Sequence, residues 1–297
     1  MMKRDVLLLF GGVPHEYLQR WEITSNLTLA EDNLGVQFKE ITTENLLART
    51  HNLTDPEKRK AKQLTDHLMQ NAVQRAQGAA LSEAEIQKAT DLYVAMKSYV
   101  DHEDATAVSI VCGPWIHEPN YPTPCVALML LQEDGVPAAC QGDLDALLTM
   151  VLFKRASGVM SCMGNNFEVA GELGVGHCVL PRTLCVPMAA LQPYYLSDYH
   201  GRKPSPTIHT SIPSGQVVTV ARLTRNLETL ILSRGLIVES LDLRDRCRNT
   251  LVIHVDDPAR VLGAMKGLQQ HLVVACGDHT KAMTAHAQRA GIQVKVV

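Results

Sequence analysis

A short, uninterrupted apolar run near the start of the chain constrains the fold most strongly. Val6 to Phe10 is hydrophobic throughout and is closed by Gly11 and Gly12. Because such a run has no polar face, it indicates a strand buried on both sides, as in a parallel sheet covered by helices. The adjoining glycines match neither G-x-G-x-x-G nor G-x-x-x-x-G-K-[ST], so we predict no nucleotide site.

The segments that follow alternate between helical and strand patterns. Helices are expected at about 15–30, 56–77, 82–100, 125–132 and 143–155. Strands are expected at 35–41, 107–111 and 137–140. Strands separated in this way by helices indicate a doubly wound α/β sheet.

Beyond Gly158 the helical periodicity almost disappears. Short β-prone runs at 178–180, 216–220 and 250–253 alternate with loops that contain Pro and Gly, and the tail reads strand, helix, strand. We therefore predict a Rossmann-like α/β domain over residues 1–158 and a β-rich domain over residues 159–297.

Composition excludes several classes of function. A net charge of −3, with no stripe of Lys and Arg, offers no surface for nucleic acid. No segment approaches the roughly 18 continuous apolar residues of a membrane span. The eight cysteines form no C-x-x-C pair and lie mostly among apolar neighbours, which is typical of reduced, buried thiols. We expect a soluble, cytoplasmic protein.

Four stretches carry a family resemblance when they are taken together and in order. They are GVPAACQGDLDALLTM (135–150), CMGNNFEVAGELGVGHC (162–178), SGQVVTVARL (214–223) and QHLVVACGDHTKAMTAHAQRAGIQVKV (270–296). This set resembles the C-terminal two-thirds of the L-fucose isomerase and L-arabinose isomerase superfamily. The resemblance covers essentially the whole chain.

The resemblance implies a Rossmann-like domain followed by a barrel-like domain. It also implies an oligomer that interconverts an aldose and its ketose with a divalent cation such as Mn²⁺. The family's N-terminal domain has no counterpart in this chain. We therefore expect a homo-oligomer that binds a sugar or sugar acid, with a partner chain as one way to supply the missing domain.

The resemblance also assigns residues. The family's two catalytic carboxylates fall on Gln141 and Asn165, so both acids are replaced by amides. Its metal-binding histidines fall on His177 and His271, with Gln270 in place of the histidine that normally precedes the last one.

Two further residues are assigned to substrate binding. His200 resembles a family position near the pocket. Glu168, three residues from Asn165, is the best placed acid to replace a lost carboxylate, ahead of Asp143, Glu172 and Asp278.

The two amides have a chemical consequence. Isomerisation through an enediol needs a base and a hard cation, and Mn²⁺ prefers anionic oxygen ligands. An amide supplies neither a base nor a negative charge. We predict a carbohydrate-related protein of isomerase type with a degraded site and weak affinity for Mn²⁺ or another divalent cation. The alternative is a non-catalytic sugar-binding or partner-subunit relative.

Each assigned residue also has a structural interpretation. Gln141 and Asn165 are residue types that cap helices and close turns. His177 and His271 are compatible with hydrogen-bonded structural histidines, and His200 with a histidine in a surface loop. Asp278 is interpreted as a helix cap.

Overall fold

A parallel sheet forms the centre of the first half of the chain. The computed structural model describes residues 4–12, 26–73, 81–186, 190–243, 245–268 and 270–297. The sheet contains β1 (Asp5–Phe10), β2 (Val36–Ile41), β3 (Ala105–Ile110) and β4 (Ala138–Ala139), in the order β2-β1-β3-β4. Strand β1 lies between β2 and β3, and Val6 to Phe10 are buried, as the apolar run predicted.

Helices cover this sheet. They are α1 (Leu27–Leu34), α2 (Thr43–His51), α3 (Asp55–Gln70), α4 (Glu83–Glu103), α5 (Gly113–His117), α6 (Cys125–Glu133) and α7 (Leu144–Ser157). Helix α2 was not expected from the sequence, and it begins where the Thr42 hydroxyl accepts a hydrogen bond from the Asn45 amide. The helix expected at 15–30 lies mostly outside the described residues.

The second half of the chain is built mainly of antiparallel strands. These are β5 (Ser161–Val169), β6 (Glu172–His177), β7 (Tyr194–Tyr199), β8 (Lys203–Thr210), β9 (Val217–Leu223), β10 (Thr229–Leu241), β11 (Asn249–His254), β12 (His271–Cys276) and β13 (Gln293–Val296). Six of them close a barrel in the order β11-β6-β5-β12-β9-β10, with β10 paired back to β11. Two helices, α8 (Pro258–Ala264) and α9 (Thr280–Arg289), lie in the same half.

The predicted fold class is therefore confirmed: a Rossmann-like parallel sheet is followed by a β-barrel part. The domain limits stay a prediction, since the β7–β8 hairpin of the second half packs on α4 and α6 of the first. None of the helices in the described ranges is long and apolar enough to cross a membrane.

The prediction of a strand at 178–180 is wrong. Strand β6 ends at His177, whose register partner Asn249 begins β11. Cys178, Val179 and Leu180 are nevertheless buried. Their apolar character reflects a buried connection, which hydrophobicity alone does not distinguish from a strand.

The expectation that all the cysteines are reduced is also wrong for two of them. Cys185 and Cys276 form a disulfide, with their Cα atoms 5.2 Å apart. Sequence separation does not reveal such a pair, because disulfide formation depends on Cα distance and direction in the fold. Among the cysteines that remain free, Cys247 alone is not fully buried.

The barrel strands alternate between two cores. Cys162, Val220 and Val274 point into the barrel, whereas the neighbouring Met163 and Val273 pack against the α/β half. Helix α7 lies against β5, β9 and β12 at this junction. The connection from β4 to α7 is thus placed beside one end of the barrel.

Candidate functional site

Asp143 lies at the centre of a buried polar group at this junction. Its Oδ1 accepts a hydrogen bond from the Ala146 amide and so caps α7. Its Oδ2 accepts a 2.7 Å bond from Arg222 and a 2.8 Å bond from Nδ1 of His271. One carboxylate therefore joins the α/β half to strands β9 and β12 of the barrel.

Arg222 supplies the charge that allows Asp143 to stay ionised without water. Both side chains are only 1% exposed, and Arg222 also donates to the backbone carbonyl of His271. Burial alone would raise the pKa of Asp143, but the Arg222 guanidinium and the bond from His271 outweigh burial and hold that pKa well below its usual range.

The orientation of His271 follows from this contact. Because ionised Asp143 can only accept a hydrogen bond, Nδ1 of His271 carries a proton, and in the neutral form of the ring Nε2 keeps its lone pair. Nε2 is buried and has no hydrogen-bond partner among the described residues. A histidine oriented by a carboxylate, with its other nitrogen bare, is suited to accept a proton or to bind a metal ion.

His177 lies against His271, but its Nδ1 accepts a hydrogen bond whereas Nδ1 of His271 donates one. The ring centroids are 5.6 Å apart in an edge-to-face arrangement. Nδ1 of His177 accepts a 3.2 Å bond from the Val179 amide, so the neutral ring carries its proton on Nε2. Burial lowers the pKa of His177 to about 4, and the ring is therefore a neutral hydrogen-bond donor near pH 7.

The structure places Asn165 next to the histidine pair, whereas the side chain of Gln141 is exposed to solvent. Asn165 is the register partner of His271, and its Nδ2 lies 3.6 Å from Sγ of Cys247. Gln141 has a positive φ of 60° and an exposed side chain, two residues before Asp143. The catalytic roles assigned to the two amides stay predictions.

The two predicted substrate-binding residues lie in different surroundings. Glu168 is exposed near the β5–β6 turn, and its odd spacing from Asn165 directs the two side chains to opposite faces of β5. His200 is partly buried, stacks on Tyr199 and has Nε2 3.0 Å from Sγ of Cys178. Both substrate roles stay predictions.

A thiol and imidazole cluster adjoins the histidine pair. The ligand atoms of Cys178, His200 and Cys247 all lie within 4.8 Å of one another. A hydrogen bond from Cys178, with His200 and His177 nearby, lowers the pKa of Cys247 to about 3, although burial opposes this change. The cluster has donors that could hold a metal ion.

The donors beside the histidine pair do not fit Mn²⁺. They are an amide, two thiols, the imidazole of His200 and the carboxylate of Asp143, which is already engaged by Arg222. Mn²⁺ favours anionic and neutral oxygen ligands, whereas thiolates and imidazoles favour softer ions. The predicted metal roles of His177 and His271 stay predictions.

Sequence reasoning missed Arg222, Cys178 and Cys247 as site residues, and it placed Asp143 behind Glu168. A signal existed for Arg222, since a charged residue within the apolar strand VVTVARL requires a buried partner. The thiols carry no spacing motif. Asp278 accepts bonds from the amide and hydroxyl of Thr280, but it lies one residue before His279, which occupies the N-cap position of α9.

Comparison with known proteins gives one distant relationship. No protein-family model matches the chain. The chain is similar to sulfoquinovose isomerase from Alkalicoccus urumqiensis, with 26% identity over 214 residues. The match covers 67% of this chain and 46% of that protein, so the chain spans about half the length of the curated relative. This similarity supports a sugar isomerase-like relationship.

Proposed function

We propose that this chain binds a sugar and interconverts its aldose and ketose forms, with His271 as the proton-transfer group. The observation that carries the proposal is the bare Nε2 of His271, oriented by Asp143 and adjacent to the neutral His177. Such a pair supplies the base that Gln141 and Asn165 cannot supply.

The imidazole rings of His271 and His177 have separate roles in the proposed reaction. Nε2 of His271 takes the proton from the carbon next to the sugar carbonyl, and Nε2–H of His177 donates a hydrogen bond to the carbonyl oxygen. The resulting enediolate passes the hydroxyl proton of that carbon to the former carbonyl oxygen, and His271 returns its own proton to the former carbonyl carbon, which gives the isomeric sugar. Asp143 positions His271 and stabilises the imidazolium that forms during the transfer.

A neutral His177 is the appropriate donor in this scheme. Burial keeps its pKa well below neutral pH, so the ring stays neutral and donates from Nε2. The amide of Asn165 is suited to orient a sugar hydroxyl, and we assign the same role to His200 on its partly buried side.

A non-catalytic role is the second candidate, and the amides at Gln141 and Asn165 favour it. In that case the chain binds a sugar or sugar acid, or serves as a subunit completed by another chain. We retain a homo-oligomer or such a partner chain as part of this proposal.

The decisive experiment follows solvent exchange. The full chain is incubated in D₂O with sulfoquinovose and a panel of aldoses, with and without added Mn²⁺, and ¹H NMR detects ketose and deuterium at the exchanging carbon. We expect exchange that Mn²⁺ does not increase, and we expect His271→Gln to lose about 10²–10⁴-fold in rate. The matched control is His254→Gln, since His254 is exposed and pairs with Glu172.

The outcomes separate the candidates. Sugar binding by saturation-transfer NMR without any exchange would support the non-catalytic role. Neither binding nor exchange with any sugar would contradict a carbohydrate function. Full activity in His271→Gln would remove His271 from the mechanism.

A further inference from the structure

We propose that Cys178, His200 and Cys247 form a three-ligand site for a soft divalent transition metal ion of the Zn²⁺ type. The three residues come from separate segments: the end of β6, the β7–β8 turn and the β10–β11 connection. Their ligand atoms lie within 4.8 Å of one another, and Nε2 of His200 is 3.0 Å from Sγ of Cys178. This inference goes beyond the proposed isomerisation and does not depend on it; it assigns His200 to the metal ion in place of a sugar hydroxyl.

The donor set selects the kind of ion. Two thiolates would balance the charge of a divalent cation, and imidazole completes a Cys₂His set that leaves one coordination position open. Thiolate and imidazole ligands favour Zn²⁺ over Mn²⁺, which prefers oxygen. The site therefore differs in both residues and ion from the Mn²⁺ site that the resemblance implies.

A buried ion pair holds two of the ligand segments together. Arg248, next to Cys247, pairs with the carboxylate of Asp198, two residues before His200, and both side chains are 1% exposed. Arg248 also donates from Nε to the Asp198 backbone carbonyl at 3.0 Å. The Gly201 amide donates to the same Asp198 carboxylate at 3.0 Å, which fixes the turn that carries His200.

The neighbours of the cluster suggest where the open position lies. Nδ2 of Asn165 is 3.6 Å from Sγ of Cys247, and Asn165 pairs in register with His271. Cys178 is buried, whereas His200 and Cys247 are only partly buried. A bound ion would thus adjoin the histidine pair and remain reachable from solvent.

Cobalt provides the test, because tetrahedral Co²⁺ bound by thiolates absorbs both in the visible and, by charge transfer, in the near ultraviolet. The full chain is stripped of metal under a non-thiol reductant and titrated with Co²⁺. We expect both signals to saturate at one ion per chain, Zn²⁺ to abolish them, and Mn²⁺ to leave them unchanged.

Variants assign the ligands. Loss of outer-shell groups alone costs about 10–100-fold in metal affinity, so Cys247→Ser and His200→Gln should each weaken Co²⁺ binding more than about 10-fold. Cys162→Ala, a buried barrel cysteine, and His254→Gln, an exposed histidine, are the matched controls and should bind Co²⁺ as the parent does.

Two results would overturn the proposal. One is the absence of a charge-transfer band in the parent chain, and the other is a band of unchanged intensity and affinity in Cys247→Ser. Circular dichroism of each metal-free variant verifies folding, and His200→Gln decides the question if Cys247→Ser does not fold. No sugar is present in this experiment, so its failure is distinct from failure of the proposed isomerisation.

Discussion

Nδ1 of His271 donates a 2.8 Å hydrogen bond to Oδ2 of Asp143, although 128 residues separate them in the chain. The same oxygen accepts from Arg222, so the carboxylate orients the imidazole and neutralises the guanidinium at once. The contact fixes the α/β half against the barrel and leaves Nε2 of His271 bare. Stability and chemistry at the junction therefore depend on one side chain.

Asp143→Asn tests the structural part of this relationship. The change removes the charge that compensates buried Arg222, and loss of one partner of a buried ion pair typically costs about 3–5 kcal/mol of unfolding free energy. Urea denaturation measures the loss. Glu172→Gln, which breaks an exposed pair with His254, should cost under about 1 kcal/mol. Similar losses in the two variants would contradict the assignment.

Arg248→Met tests the ion pair that joins the His200 turn to the Cys247 segment. It leaves Asp198 buried without its guanidinium, so we expect a loss of about 3–5 kcal/mol in unfolding free energy. Where the variant folds, Co²⁺ affinity should fall about 10–100-fold although Arg248 is not a ligand. Arg246→Gln, at an exposed neighbouring arginine, should change neither quantity appreciably.

The pKa of His177 predicts a pH dependence of stability. Burial lowers this pKa from its usual 6.5 to about 4, so between these values the unfolded chain binds a proton that the folded chain does not. The contribution of the neutral His177 ring to the unfolding free energy is thus fully present above pH 6.5 and is lost as the pH falls toward 4. The loss of unfolding free energy reaches about 3 kcal/mol at the acid end of this window.

Denaturation between pH 8 and pH 4.5, with a chelator present, measures this dependence. His177→Gln should lose less stability on acidification than the parent chain. His254→Gln should keep the parent's slope, because His254 is exposed. An unchanged slope in His177→Gln would show that another group causes the acid sensitivity.

The sequence predicted the fold class well because burial patterns are local. The run Val6 to Phe10 indicated a central parallel strand, and the loss of helical periodicity after Gly158 indicated a β-rich half. The family resemblance also singled out His177 and His271, which the structure places at the end of β6 and the start of β12. These inferences need only residue periodicity and motif order.

The contacts that define the site depend on long-range register, which periodicity does not encode. Asp143 and Arg222 are 79 residues apart, and nothing local indicates that they meet. Cys178 and Cys247 are brought together by the pairing of β6 with β11, in which His177 and Asn249 are opposite each other. Two cysteines that the sequence indicated only as buried thiols therefore belong to a cluster with metal-binding donors.

Gly164 shows how closely the barrel strands approach each other beside the site. A Cβ at this position would lie 2.8 Å from Cγ1 of Val175 and 2.9 Å from the backbone nitrogen of Gly176. Gly164→Ala forces β5 away from β6 and should cost about 1–3 kcal/mol of unfolding free energy. Since Asn165 is the next residue and contacts Cys247, we also expect weaker Co²⁺ binding at the cluster.

The matched control for this substitution is Gly263→Ala. Gly263 lies on an exposed position of α8, where a Cβ meets no atom within 4 Å. Alanine is favoured over glycine by about 0.5–1 kcal/mol in a helix interior and by less near a helix end, so this variant, at the penultimate residue of α8, should be slightly more stable than the parent chain. Urea denaturation of both variants measures the opposite signs. A Gly164→Ala variant as stable as the parent would mean that β5 and β6 are not in the close register described for the barrel.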